Sequence, residues 1–267
     1  MIRIGIIGGS GLEDPKILKN AQEIEAETSY GAPSSPLTTG AIEGVSVVLL
    51  ARHGRRHTIT PTHVNYRANI WALKRAGCTH IIATTAVGSL REEIKRGDLV
   101  IVDQFIDFTR FRKVTFFEEF DPGNARHTAM PDPFSEEIRS VLIACARELG
   151  LPFHERGAVI TCEGPRFATR AESRMFRIWG ADVVNMSIAP EAVLANEAGI
   201  PYAAVAMSTD YDSWKEDEEP VTWDMILEIF SKNVEKITSL LSRAVPRLAQ
   251  TTNPVIVSET KQSHPSC

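Results

Sequence analysis

Tyr202-Ala203-Ala204-Val205-Ala206-Met207, followed after Ser208 by Thr209-Asp210-Tyr211-Asp212, is the stretch that decides the fold of this chain. The first six residues are apolar or aromatic without a break, as in a strand covered on both faces. The run ends in two carboxylates. Residues 210 and 212 stand two apart, so on an extended backbone both side chains leave on the same side. Ligand sites in open α/β sheets gather at such strand tips, and paired carboxylates there can hydrogen-bond the edge of a heterocyclic base, one of them sharing a proton with it. A solvated acidic turn running on into Lys215-Glu216-Asp217-Glu218-Glu219 is the alternative that these residues alone leave open.

Outward from this stretch, residues 2–7, 45–51, 80–85, 99–103, 158–162 and 181–185 also read as strands, several continuously apolar and β-branched. Helical patterns lie between them. Thr62 is placed to cap a helix running to Arg75-Ala76 and stopped by Gly77, and Ser135 to cap one with Glu136 and Glu137 in its first turn and Gly150 after its end. Pro190 is placed to start a short helix through Ala198, and Thr222 to cap a long one from Trp223 towards Arg243. The alternation predicts a single α/β domain over residues 1–250, with a central mixed β-sheet flanked by helices. Residues 251–267, polar and Pro-containing, read as a disordered tail. Residues 108–133 carry Phe, Arg, Pro and Gly without a period and read as a long ordered excursion, a kind of loop that is usually functional or disordered.

With 267 residues and 43% hydrophobic content, the chain can bury the core of one large domain. A net charge of -5 argues against general affinity for nucleic acid or acidic membranes, which needs a net basic face. Any anionic ligand must therefore be held by local arginines and backbone amides. Cys78, Cys145, Cys162 and Cys267 form no Cys-x-x-Cys pair, which suggests neither a zinc site nor a disulfide framework and fits a reduced, cytoplasmic setting. No charged leader, cleavage site or run near the roughly 20 apolar residues of a membrane span is read.

Several strand ends carry anion-binding chemistry. Gly8-Gly9-Ser10-Gly11 follows the first strand, where a sharp turn can aim backbone N–H groups and the Ser10 hydroxyl at a phosphate. It matches neither the dinucleotide fingerprint, nor the Walker loop, nor the nucleophile elbow, since Leu12 stands where the last glycine of the elbow should be. Ala51-Arg52-His53-Gly54-Arg55-Arg56-His57 concentrates arginines whose forks match phosphate oxygens; a solvated basic loop, or a metal site using His53, His57 and His63, are the other readings. Thr84-Thr85-Ala86-Val87-Gly88-Ser89 supplies hydroxyls, small side chains and a close-approach glycine at a third tip. Glu163 to Glu172 follows a fourth strand, with Phe167 beside small Ala168 offering a stacking face. Met186, after Asn185, can line an apolar sugar pocket or be simple core, and His127 is either functional or a surface residue of the excursion.

Together, residues 6–12, 49–54, 84–93, 163–172, 179–186 and 206–219 resemble the methylthioadenosine phosphorylase branch of the purine nucleoside phosphorylase superfamily, and the similarity extends over about residues 2–249. The resemblance implies a purine nucleoside phosphorylase-like fold that assembles as a homotrimer, sometimes paired into a hexamer. It makes Ser10, Arg52, His53, Thr85 and Ser187 the phosphate site. Ala86, Phe167 and Met186 would surround purine and ribose, with Ala168 alongside, and Asp210 and Asp212 would face the base at N6 and N7. His127 would reach a neighbouring subunit's 5' pocket, while Trp223 and Ile226 would contact the methylthio group. The partners implied are a small-molecule nucleoside and orthophosphate as co-substrate; no metal or other cofactor is required.

The chemistry agrees with that assignment. Cleaving an N-glycosidic bond leaves positive charge on the sugar and negative charge on the purine, so phosphate under C1' and an acid at N7, Asp212, stabilise both at once. That role requires a carboxyl whose pKa is raised by apolar surroundings. A carboxylate accepts from a 6-amino group but repels a 6-carbonyl, and the relatives specific for 6-oxopurines carry Asn and Glu where this chain has Asp and Ala168, so adenine nucleosides are expected. Ala168 for serine, Ser187 for threonine and Trp223 for a smaller aliphatic residue are departures from close relatives. A broader purine nucleoside phosphorylase, a methylthioinosine phosphorylase and a nucleoside-binding module without turnover are the competing readings.

Overall fold

The computed structural model describes residues 2–9, 17–218 and 222–251. Its core is a mixed sheet of strands β1 (Arg3–Gly8), β2 (Lys19–Ile24), β3 (Leu37–Ile42), β4 (Val45–Ala51), β5 (His80–Ser89), β6 (Leu99–Ile101), β7 (Gln104–Phe108), β8 (Phe153–His154), β9 (Ala158–Cys162), β10 (Val183–Asn185) and β11 (Tyr202–Asp210). Helices α1 (Tyr66–Arg75), α2 (Glu136–Glu148), α3 (Arg170–Ile178), α4 (Ile188–Glu197) and α5 (Trp223–Thr251) flank it. The α/β class and the mixed sheet read from the sequence are those observed.

The sheet divides at β5. Along one edge, residues 80–83 pair with β1 in parallel, while Gly88 and Ser89 pair with β10 antiparallel. Residues 84–87 lie between and have no strand partner on that edge. The opposite edge is held by β11, in parallel, from Tyr202 against Ile81 to Asp210 against Gly88. The C-terminal ends of β1, β4, β5, β9, β10 and β11 therefore converge around this fork, the place where open α/β sheets hold ligands. Apolar side chains pack on both faces: Ile7, Ile70, Leu73 and Ile188 in one layer, Ile6, Leu142, Phe230 and Leu241 in the other.

Local chemistry sets where the helices begin. Ser135 caps α2 by accepting from Ile138 N, as read from the sequence. The helix expected from Thr62 starts later, at Tyr66 with Asn65 as its cap, because Pro61–His63 forms a separate 3₁₀ turn and Thr62 Oγ1 donates to the Glu163 carbonyl instead. α4 begins at Ile188, two residues before Pro190, which sits in the first turn where its missing N–H is no loss. α5 runs past Arg243 to Thr251, through Pro246. Residues 252–267, most of the tail expected from composition, lie outside the described residues.

The excursion over 108–133 is irregular but anchored. The Arg112 guanidinium, fully buried, donates to the Tyr66 hydroxyl at 2.8 Å and to the carbonyls of Cys162, Glu163 and Met186, and it pairs with the Glu163 carboxylate at 3.2 Å. One side chain thus ties the excursion to the tips of β9 and β10. Thr115 and Phe116 N fix its next turn to Glu197 on α4.

Candidate active site

A cavity opens in the fork. It is lined by Arg52, His53, Thr85, Ala86, Phe167, Ala168, Met186, Ser187, Asp210, Asp212, Trp223 and Ile226, so residues read from six separate stretches of sequence meet in one space. Ser10 lies outside the described residues. His127 is exposed, makes an edge contact with Phe120, and is not among the residues lining its own chain's cavity. The three histidines considered for a metal do not converge: His63 bonds Thr60 at an exposed turn, and no group of His, Cys, Asp or Glu among the described residues is placed to hold a metal ion.

At one end stands Arg52, 1% exposed. Its Nε and Nη2 donate to the two carboxylate oxygens of Glu191 at 2.5 and 3.0 Å, and Nη1 donates to the Thr84 carbonyl, an acceptor left open by the fork, at 2.8 Å. Glu191 is fully buried in the first turn of α4 and also accepts from Tyr202. Burial lowers the guanidinium's pKa and Glu191 more than offsets this, so the net shift is upward. Gly9 is required here, because a Cβ would lie 2.7 Å from Arg52 Nη1 and 2.8 Å from the Thr84 oxygen. His53 Nδ1 donates to the Ile59 carbonyl at 2.9 Å, and burial, then Arg52, holds the ring's pKa down to about 3. Ser187 is the N-cap residue of α4 but makes no side-chain capping bond, which leaves its hydroxyl for a ligand at a helix N-terminus.

On the other side of β5 lie the aspartates. Asp210 Oδ2 accepts from Thr209 Oγ1 and Oδ1 accepts from Asp212 N, both at 2.8 Å. The expected extended spacing does not hold: Asp212 takes a positive φ of 45°, and the bond from its amide to Asp210 turns both carboxylates into the cavity instead. Burial raises the pKa of Asp210, and burial, aided by the Asp210 charge, raises that of Asp212 to about 6. Asp212 Oδ2 is buried without a hydrogen-bond partner among the described residues; Ser173 Oγ on α3 is close enough to lower its pKa yet forms no bond of ordinary geometry with it. Gly88 makes the pair possible, since a Cβ there would lie 2.9 Å from Asp210 Oδ1 and 3.1 Å from Asp212 Cβ.

Trp223, 42% exposed, stacks on His57 at 4.9 Å between ring centroids, and His57 stacks on His53 at 4.5 Å. An aromatic wall thus joins α5 to the Arg52 end. Sequence reading missed the parts of His57, Gly9, Gly88, Glu191 and Arg112. Glu191 had a signal: it is the one charge inside the apolar run 188–195, and a carboxylate buried by such a helix needs a cationic partner.

A cavity that holds a buried, hydrogen-bonded arginine and hydroxyls on one side and a carboxyl titrating near pH 6 on the other can bind an oxyanion and protonate a leaving group. The model of the Phosphorylase superfamily matches residues 3–246. The S-methyl-5'-thioadenosine phosphorylase of Xenopus tropicalis is 56% identical over 252 residues, which is 93% of this chain and 89% of that protein. The Danio rerio enzyme of the same name is 54% identical over 93% of this chain and 90% of its own length. Among solved structures, methylthioadenosine phosphorylase from Schistosoma mansoni in complex with adenine superposes with a TM-score of 0.89 at 42% identity, covering 94% of this chain and 93% of that one. A mutant adenosine/methylthioadenosine phosphorylase from Schistosoma mansoni in complex with methylthioadenosine gives 0.88 at 41% identity, covering 94% and 92%. The chain belongs to the Phosphorylase superfamily and, within it, to the S-methyl-5'-thioadenosine phosphorylase family.

Proposed function

We propose that this protein is a pentosyltransferase that cleaves 5'-methylthioadenosine with orthophosphate, giving adenine and 5-methylthioribose 1-phosphate. The observation that carries the reading is the single cavity shared by Arg52 and Asp212, on opposite sides of β5. Orthophosphate is held by Arg52, His53, Thr85 and Ser187, with Ser10 completing the set, beneath C1' of the ribose. It stabilises the oxocarbenium and then captures it. Phe167, Met186 and Ala86 enclose purine and ribose, with Ala168 beside the base. Asp212 donates its proton at N7, and Asp210 accepts from the 6-amino group. A carboxyl titrating near pH 6 suits the first of these roles, because it still holds a proton close to neutrality. The reaction needs no metal and no organic cofactor, and adenine nucleosides are preferred to 6-oxo analogues.

Trp223 and Ile226 meet the 5' substituent, and His127 closes the same pocket in a neighbouring subunit of a trimer or a pair of trimers. The position of His127 outside its own cavity and the exposure of Phe111, Ile178 and Trp179 support such self-association. The three described cysteines, all unbridged and buried, support a reduced, cytoplasmic setting. Adenine release from methylthioadenosine, assayed with and without orthophosphate, tests the reading: release must depend on orthophosphate. Ligand binding without turnover would support a nucleoside-binding module instead. A higher kcat/KM for inosine or methylthioinosine than for methylthioadenosine would reverse the assignment of the base.

A further inference from the structure

His53 is locked in one tautomer. Its Nδ1 faces the Ile59 carbonyl at 2.9 Å, and a carbonyl only accepts, so Nδ1 carries the ring hydrogen. Ile59 N donates back to the His53 carbonyl at 3.0 Å, which fixes the two residues against each other. Nε2 therefore has a lone pair and can only accept. It has no hydrogen-bond partner within the described residues, and the ring lines the cavity beside Arg52. Protonating Nε2 would place a second cation in the interior next to the Arg52 guanidinium, which burial and that charge both oppose. Nor does Arg52 supply a strong unpaired charge, because Glu191 occupies two of its nitrogens.

We infer that His53 makes the anion end of the cavity selective for oxyanions that carry a hydrogen, so that orthophosphate and arsenate are bound in preference to sulfate. The inference rests on the reading of that end as the phosphate site. The hydrogenphosphate dianion donates its hydroxyl to Nε2. Sulfate has the same shape and charge but no hydroxyl at neutral pH, and meets Nε2 lone pair to lone pair. The Ser187 hydroxyl and the N-terminus of α4 donate to either dianion, and the Thr85 hydroxyl, whose hydrogen goes to the Ala86 carbonyl at 3.0 Å, does the same on rotation, so discrimination falls to the imidazole.

Calorimetric titration of the intact enzyme with orthophosphate and with sulfate tests this, in wild type and in His53→Ala. Leaving one buried acceptor unpaired predicts sulfate binding weaker by about 10–100-fold in wild type. In His53→Ala orthophosphate should weaken until the two anions lie within about threefold of each other. Monofluorophosphate, a dianion with fluorine in place of the hydroxyl, needs no variant: it must bind wild type as weakly as sulfate does. Equal affinity of wild type for sulfate and orthophosphate, tight binding of monofluorophosphate, or a gap that survives in His53→Ala overturns the inference. Phosphorolysis measured in parallel separates the two ideas. Loss of orthophosphate-dependent turnover would sink the proposed reaction, whereas turnover combined with indifference between the anions would sink only the role of His53.

Discussion

Replacing Asp212 by asparagine should stabilise the protein while removing most of its activity. The folded carboxyl holds its proton up to about pH 6, against an ordinary value of 3.8, because burial disfavours its charged form. With the folded pKa above the unfolded one, the folded state is favoured at low pH and loses stability as pH rises from about 4 through about 6. At 1.36 kcal/mol per tenfold, ionising Asp212 costs the folded state about 3 kcal/mol by pH 8. A neutral asparagine escapes that cost. The expected gain on Asp212→Asn is about 3 kcal/mol at pH 8 and about half that at pH 5, read from urea denaturation at fixed protomer concentration. Turnover of methylthioadenosine should fall about 10²–10⁴-fold, or about 3–5 kcal/mol of barrier, because asparagine cannot deliver the proton. A gain that does not grow with pH would show that Asp212 is not kept from ionising by burial. Unchanged kcat would remove it from the mechanism.

Gly88→Ala puts a methyl group 2.9 Å from Asp210 Oδ1, so a loss of about 1–3 kcal/mol in stability and a larger fall in kcat than in phosphate affinity are expected from denaturation and steady-state kinetics. Glu191→Gln leaves the buried Arg52 charge uncompensated; a loss of about 3–5 kcal/mol should appear as a lower melting temperature, with KM for orthophosphate raised more than KM for the nucleoside. Trp223→Val removes the ring stacked on His57 and leaves the smaller aliphatic residue of close relatives at the 5' end, and the kcat/KM ratio of methylthioadenosine to adenosine should rise about tenfold while KM for orthophosphate stays within about twofold.

The seven strands read from apolar runs all form, because strands covered on both faces announce themselves in composition. Of the four missed, β2 and β8 had little to announce. β2 is exposed along its whole length and reads Lys-Asn-Ala-Gln-Glu-Ile; it belongs to the sheet edge through backbone pairing with β3, not through burial. β8 is two residues long. At the site, the cavity-lining residues that end strands were legible because strand tips collect them, whereas the parts of Ser187, Trp223 and Ile226 were read only from the resemblance. The residues that hold these in place were not legible. Arg112 comes from a stretch without periodicity, and nothing in its neighbours foretells that its guanidinium enters the interior to bind three carbonyls from strand tips at least 50 residues away. Gly88 sits in a run of small residues, and only the turned-back Asp212 shows why a Cβ is forbidden there.

The pairing of β5 with both β1 and β11 has a consequence for how the molecule comes into being. β11 is the last strand in chain order, and it supplies one whole edge of β5 together with Asp210 at its end and Asp212 just beyond it. A growing polypeptide released before Tyr202 would own Arg52 and His53 yet have no partner for the far margin of β5. Both ends of the cavity therefore come into existence only once the chain has been made past Asp212, after every other strand of the sheet.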